Sequence, residues 1–125
     1  MAAPAFTDRE LDVMAVLWSR GPSTVAEVRE RLHDDLAHNT VQTILRILED
    51  KGYVGHTEEG RAHRFHARVK REIAGQAATS RVVEKLFGGS AAWLITQLVS
   101  ERTIDPAELR RLRKLLDEKI REGER

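Results

Sequence analysis

His38, Asn39, Thr40, Gln42, Thr43, Arg46 and Glu49 fall on one side of a 3.6-residue period, and nearly all carry amide, hydroxyl, imidazole or guanidinium groups. Asn and Gln can pair with adenine edges, Arg with guanine, and a Thr methyl can meet the thymine methyl in a major groove. The opposite side is apolar: Val41, Ile44, Leu45 and Leu48 fall at i, i+3, i+4 and i+7, a stripe that must pack on a core. Asn39 is placed to cap this helix with Gln42 reaching back three residues later, and Gly52 supplies a left-handed stop. A polar helix face is most often simply solvated, so the neighbouring segment has to decide.

That segment is a basic hairpin. Tyr53 and Val54 begin a strand directly after Gly52, Glu59-Gly60 offers a two-residue turn, and the chain returns through Ala62 to Val69. With that turn Val54 faces Phe65, and both anchor the hairpin base. No carboxylate occurs from Gly60 to Arg71, whereas Arg61, Arg64, Arg68, Lys70 and Arg71 are cationic. Such a ribbon beside a polar helix suits phosphates, with Arg61 at the tip able to enter a minor groove. Cations on an edge strand also protect it from aggregation. The expected DNA contacts are His38, Asn39, Thr40, Gln42, Thr43, Arg46, Arg61, His63 and Arg64.

The elements that must position these residues are legible on both sides. Thr7 caps a first helix with Glu10 in capping-box register, and Leu11, Met14, Leu17 and Trp18 form its stripe up to Arg20. Gly21-Pro22 breaks it, and Ser23 or Thr24 caps a shorter second helix, with Glu27 in register to Thr24 and Val25, Val28 and Leu32 facing inward. Three helices and a hairpin match the winged-helix order, in which the second helix supports the third in the groove.

Beyond the hairpin the pattern becomes purely helical. A fourth helix is expected from about Lys70 to Phe87, ended by Gly88-Gly89; Ser90 caps a fifth, and Asp105-Pro106 starts a sixth. Their apolar faces are too small to enclose a separate monomeric core, so they are expected to pair with a second copy of the chain through Leu86, Trp93, Leu94, Leu98, Leu109, Leu112 and Leu116. Folding back onto the first three helices is the alternative. The organisation expected is mainly α (α+β): a winged helix-turn-helix domain over residues 1–69 and a helical dimerisation region over residues 70–125.

Composition bounds the rest. The 125 residues are 41% hydrophobic, enough for one compact domain or a small one with an appendage. Net charge is only +1, and residues 1–69 hold nine cations against eleven acids, so bulk charge gives DNA binding no support. No apolar run approaches the ~20 residues of a membrane span. The start, Met-Ala-Ala-Pro-Ala-Phe, lacks a charged leader region, and there is no cysteine, so a cytoplasmic location without disulfides is expected. Phosphate-loop, nucleophile-elbow and metalloprotease patterns are all missing, which argues against an enzyme, and no cofactor is expected. With Glu59-Gly60 as the turn, His56 lies opposite His63, but two ligands do not make a zinc site and no metal site is assigned. A His-based metal response and a winged-helix module for protein contacts remain the alternative functions.

The chain resembles the penicillinase-repressor family of bacterial transcriptional regulators over almost its whole length. The resemblance is carried by Leu11-Asp12-Val13-Met14-Ala15-Val16-Leu17-Trp18, by Leu36-Ala37-His38-Asn39-Thr40-Val41-Gln42-Thr43-Ile44-Leu45, by Lys51-Gly52-Tyr53-Val54, and by Glu59-Gly60-Arg61-Ala62-His63-Arg64-Phe65. The Phe87-Gly88-Gly89-Ser90 break and the leucine-rich last helix also look like the family's dimerisation region. It implies a homodimeric repressor on a near-palindromic operator, with recognition helix 39–51 and wing 53–68, relieved by a sensor or protease partner. Three departures limit the transfer. Ile47 stands where many members have Arg, the Cys-x-Cys pair of copper-responsive members is missing, and the only Asn is Asn39, so the family's Asn-Phe cleavage bond is absent.

Overall fold

The computed structural model describes residues 4–125; residues 1–3, where the leader reading begins, lie outside the described residues. The elements run α1 (Asp8–Arg20), β1 (Ser23–Thr24), α2 (Val25–Arg31), α3 (His38–Asp50), β2 (Val54–Glu59), β3 (Ala62–Ala67), α4 (Arg71–Leu86), α5 (Ala91–Glu101) and α6 (Pro106–Gly123). They form two compact units, one reaching Arg81 and the other spanning Val82–Arg125. The class is mainly helical with a small antiparallel sheet, as the sequence pattern implies.

Capping chemistry sets the first helices. Thr7 and Thr24 each accept a bond from the backbone N–H of Glu10 and Glu27, and those glutamates accept the cap backbone N–H in return, so both capping boxes are closed. The box expected at Asn39 is not formed. The cap lies two residues earlier, at Ala37, with no side-chain cap bond, and Asn39 already lies inside the first turn of α3. Its end is as expected: Gly52 has φ 84°, and the N–H groups of Gly52 and Tyr53 donate to the Glu49 and Leu48 carbonyls at 2.9 and 3.0 Å, a Schellman closure.

The sheet has the order β1-β3-β2, so the hairpin acquires a third strand. Ser23 and Thr24 pair with Phe65 and Arg64, which docks the return strand onto the start of α2. The hairpin register differs from that expected. Glu59 pairs with Ala62, leaving Gly60-Arg61 as the turn, with Gly60 at φ 61° in its first position. Val54 therefore faces Ala67 rather than Phe65, and Phe65 faces His56. Partners move by two residues, so no side chain changes face and Val54 and Phe65 both stay buried.

The core of the first unit is built from Val13, Met14, Val16 and Leu17 of α1, Val25 and Val28 of α2, Val41, Leu45 and Leu48 of α3, and Val54 and Phe65 of the hairpin. Burying each large aliphatic side chain stabilises this arrangement by about 1.5–3 kcal/mol. Leu11, assigned to the α1 stripe, is instead exposed, and Val13 and Val16 take the inward positions. One charged pair locks α1 to the end of α3: Lys51 Nζ donates to both carboxylate oxygens of the buried Glu10 at 2.8 and 3.1 Å. Burial pushes Glu10 upward, but the Lys51 ammonium and the Thr7 N–H outweigh it and hold the carboxyl below its ordinary range.

Candidate nucleic-acid interface

The inward pull of Val41, Leu45 and Leu48 turns the other side of α3 to solvent. His38, Asn39, Thr40, Thr43 and Arg46 are exposed and Gln42 is half-buried. Thr43 Oγ1 donates to the Asn39 carbonyl at 2.8 Å, so its hydroxyl proton is directed at the helix. Among the described residues Arg46 makes no ion pair, and its guanidinium is free. Glu49 is not: its carboxylate is bonded to His56 Nδ1 on β2, which ties the last turn of α3 to the hairpin. Ile47 is 42% exposed.

His38 and Gln42 from α3, Arg61 and His63 from the hairpin, and Thr24 from the start of α2 line one cavity of about 310 Å³. Four residues that the sequence placed on two separate elements thus converge on a single concave surface. Asn39, Thr40, Thr43 and Arg46 continue along α3 outside it.

Arg64 has a different setting from Arg61. Its Nε and second Nη donate to Glu59 at 2.9 and 2.7 Å, and its first Nη donates to Glu27 at 2.9 Å and to the Pro22 carbonyl at 3.1 Å. Glu27 in turn accepts from Arg20 and from the Thr24 N–H, and Arg20 donates to Ser23 Oγ at 2.9 Å. This alternating chain, Arg20-Glu27-Arg64-Glu59, straps the hairpin to α1 and α2. The Arg20 guanidinium first, then the Thr24 backbone N–H, lower the Glu27 carboxyl to about 2, against the smaller upward push of burial. Glu59 beside it pushes Arg64 up, against the pull of burial and with help from Glu27. In the sequence Glu27 shows only as a cap partner; nothing local signals that its cap-accepting Oε1 also accepts from a residue 37 positions away.

His63 pairs with Glu58 across the hairpin, not with His56. The two imidazoles still meet diagonally, stacked with centroids 4.2 Å apart and planes at 9°. Stacked rings direct their nitrogens side by side, and no group of three His, Cys, Asp or Glu residues suited to a metal ion occurs among the described residues.

In the second unit, the residues expected at a self-association surface are open to solvent. Leu86 and Trp93 are 68% and 54% exposed, Leu98, Leu109, Leu112 and Leu116 are exposed, and Leu94 is half-buried. Neither α5 nor α6 contributes a buried residue.

A helix presenting a polar face, supported by a shorter helix and flanked by a strapped hairpin, is the arrangement of a winged helix-turn-helix regulator. The sequence model of the penicillinase repressor family matches residues 6–118, and the chain belongs to that family of transcriptional regulators, which are not enzymes. It is 27% identical over 115 residues to an uncharacterized 16.5 kDa protein in the ptsI 3' region of Latilactobacillus sakei, covering 90% of this chain and 79% of the other. Against the penicillinase repressor of Bacillus licheniformis the identity is 23% over 117 residues, covering 92% of this chain and 91% of that one. The fold is also similar to the transcriptional regulator Tm0710 from Thermotoga maritima, with TM-score 0.50 and 21% identity over 95% of this chain and 80% of that chain.

Proposed function

We propose that this chain is a DNA-binding transcriptional repressor that holds a near-palindromic operator as a homodimer, with α3 in the major groove and the hairpin on the flanking backbone. The observation that carries this is the convergence of His38 and Gln42 with Arg61 and His63 on one concave surface. Gln42, Thr43 and Arg46 read bases, while Arg61, His38 and His63 meet phosphates. Residues 1–69 supply the DNA-binding part and residues 70–125 the dimer contact. Such a repressor acts in the cytoplasm, and a sensor or protease that relieves it would cut at a bond other than Asn-Phe.

Gel-shift titrations over a salt series test this, using operator fragments selected from the protein's own genome. Affinity should fall steeply with salt and be retained for one palindrome. Gln42→Ala should cost about 1–3 kcal/mol on that site and relax its preference at one base pair. Immeasurably weak binding to duplex DNA at low salt would overturn the proposal.

A further inference from the structure

A second cavity, of about 240 Å³, lies in the first unit on the side of α1 that faces α4. One wall is aromatic and aliphatic, from Phe6, Leu11 and Trp18; the other is a shelf of Ala74, Ala77 and Ala78, at i, i+3 and i+4 on one face of α4. The shelf is built from small side chains, and a Cβ added to Gly75 between them would meet nothing within 4 Å. Pro4, Ala5, Arg71 and Arg81 also line it, and among the described residues neither arginine makes an ion pair. Arg71 lies over the Trp18 ring, 5.7 Å from its centroid.

Size, shape and charge select the occupant. A cavity of roughly 150 Å³ accepts benzene, whereas drug-sized ligands need roughly 300 Å³ or more, so this space fits one aromatic ring with a short arm. A planar ring would fit between the Trp18 and Phe6 wall and the alanine shelf, and a carboxylate on the arm would meet an unpaired guanidinium at the Arg71 or the Arg81 end of the cavity.

The same aromatic residues hold both feet of the hairpin. Trp18 Nε1 donates to the Val69 carbonyl at 2.8 Å, just after β3. Phe6 packs on Trp18 and on Tyr53, with centroids 6.2 and 4.7 Å away. Tyr53 stands just before β2, and its carbonyl accepts the Arg68 N–H at 2.8 Å. We propose that this cavity binds a small aromatic monocarboxylate and that occupancy is transmitted through Phe6 and Trp18 to the base of the hairpin. Its regulatory meaning rests on the DNA-binding function proposed above; the binding site itself does not.

The test uses the full chain carrying Trp93→Phe, which leaves Trp18 as the single tryptophan, with 3-phenylpropionate as probe. Trp18 emission should change saturably, and one of Arg71→Gln and Arg81→Gln, at the end that holds the carboxylate, should weaken the apparent Kd about tenfold; no loss from either would overturn the site. The neutral amide 3-phenylpropanamide should bind at least tenfold more weakly, and Ala78→Leu, which fills the shelf, should abolish the response. A linear, unsaturable change, or equal responses to acid and amide, would overturn the site. Amide hydrogen exchange at Tyr53 and Arg68 should slow when the acid is bound; saturable binding with no change there would overturn the transmission. Neither readout needs DNA, so a protein that binds the acid but no operator would sink the repressor proposal and leave the site standing.

Discussion

Arg61 and Arg64 stand three residues apart on one hairpin, and their partners separate them. Arg61, at the turn, lines the α3 cavity without an ion pair among the described residues, whereas Arg64 spends its guanidinium on Glu59, Glu27 and the Pro22 carbonyl. Arg61→Ala should therefore weaken binding to all sequences and reduce the salt slope by about one. Arg64→Ala removes no phosphate partner: it should lower affinity by loosening the wing, leave the slope unchanged, and speed hydrogen exchange in β3. Salt-dependent gel shifts compare the two, and equal flattening of both slopes would return Arg64 to the phosphate-contact role given it by its sequence. A pH test reaches the same network. The folded Glu27 carboxyl is lowered from 4.5 to about 2, so its contribution is complete above the unfolded value and is lost as pH falls through that window. Thermal unfolding between pH 5 and 2 should show a shallower decline for Glu27→Gln than for the parent chain; parallel declines would deny Glu27 this part. Side-chain chemistry was legible from residue type alone. The partners that set Arg64 and Glu27 to work were not, since they meet only after the chain has folded.

At the scale of elements, legibility followed how local the determinant was. The helices of the first unit and both threonine capping boxes depend on residues within four positions, and the sequence displays them. The two-residue strand Ser23–Thr24 exists only because β3 returns beside it, so no pattern of its own could announce it. The hairpin register turned on which residue tolerates a positive φ: Gly60 takes the first turn position rather than the second, moving every partner by two. Asn39 failed as a cap because Ala37 already holds the extended cap conformation, with α3 starting at His38. Gly52 is the element-scale residue whose role can be measured directly. With φ 84° it closes α3 and aims the chain into β2, and any Cβ there is strained although the surrounding space is open. Gly52→Ala should cost about 1 kcal/mol in chemical denaturation, the left-handed penalty partly offset by a less flexible unfolded chain. An unchanged midpoint would mean that the turn relaxes at no cost, and that α3 and the hairpin are held by their packing alone.

For the whole molecule the decisive contrast lies between the two units. Among the described residues the first encloses a core of eleven buried hydrophobic residues, while α5 and α6 bury none and leave Trp93, Ile95, Leu98, Leu109, Leu112, Leu116 and Ile120 open. Isolated apolar residues on a surface need no explanation, but a concentration of them on two consecutive helices does. No helix among the described residues is long and apolar enough to cross a membrane, so lipid burial of a spanning helix is not the answer. Under the proposed function a second copy of the chain covers them, because an isologous contact would bury the same patch on both partners and set two α3 helices on the two halves of a palindrome. Leu112→Asp places a charge in the middle of α6 without touching the first unit's core. Light scattering should then read a mass near that of one chain where the parent reads two, with helix content retained. Operator affinity should drop far more than half-site affinity, because two linked reading heads gain from each other only while they are held together. A dimer mass that survives the substitution would place the contact away from α6, and equal losses on operator and half-site would mean that each winged helix reads its DNA alone.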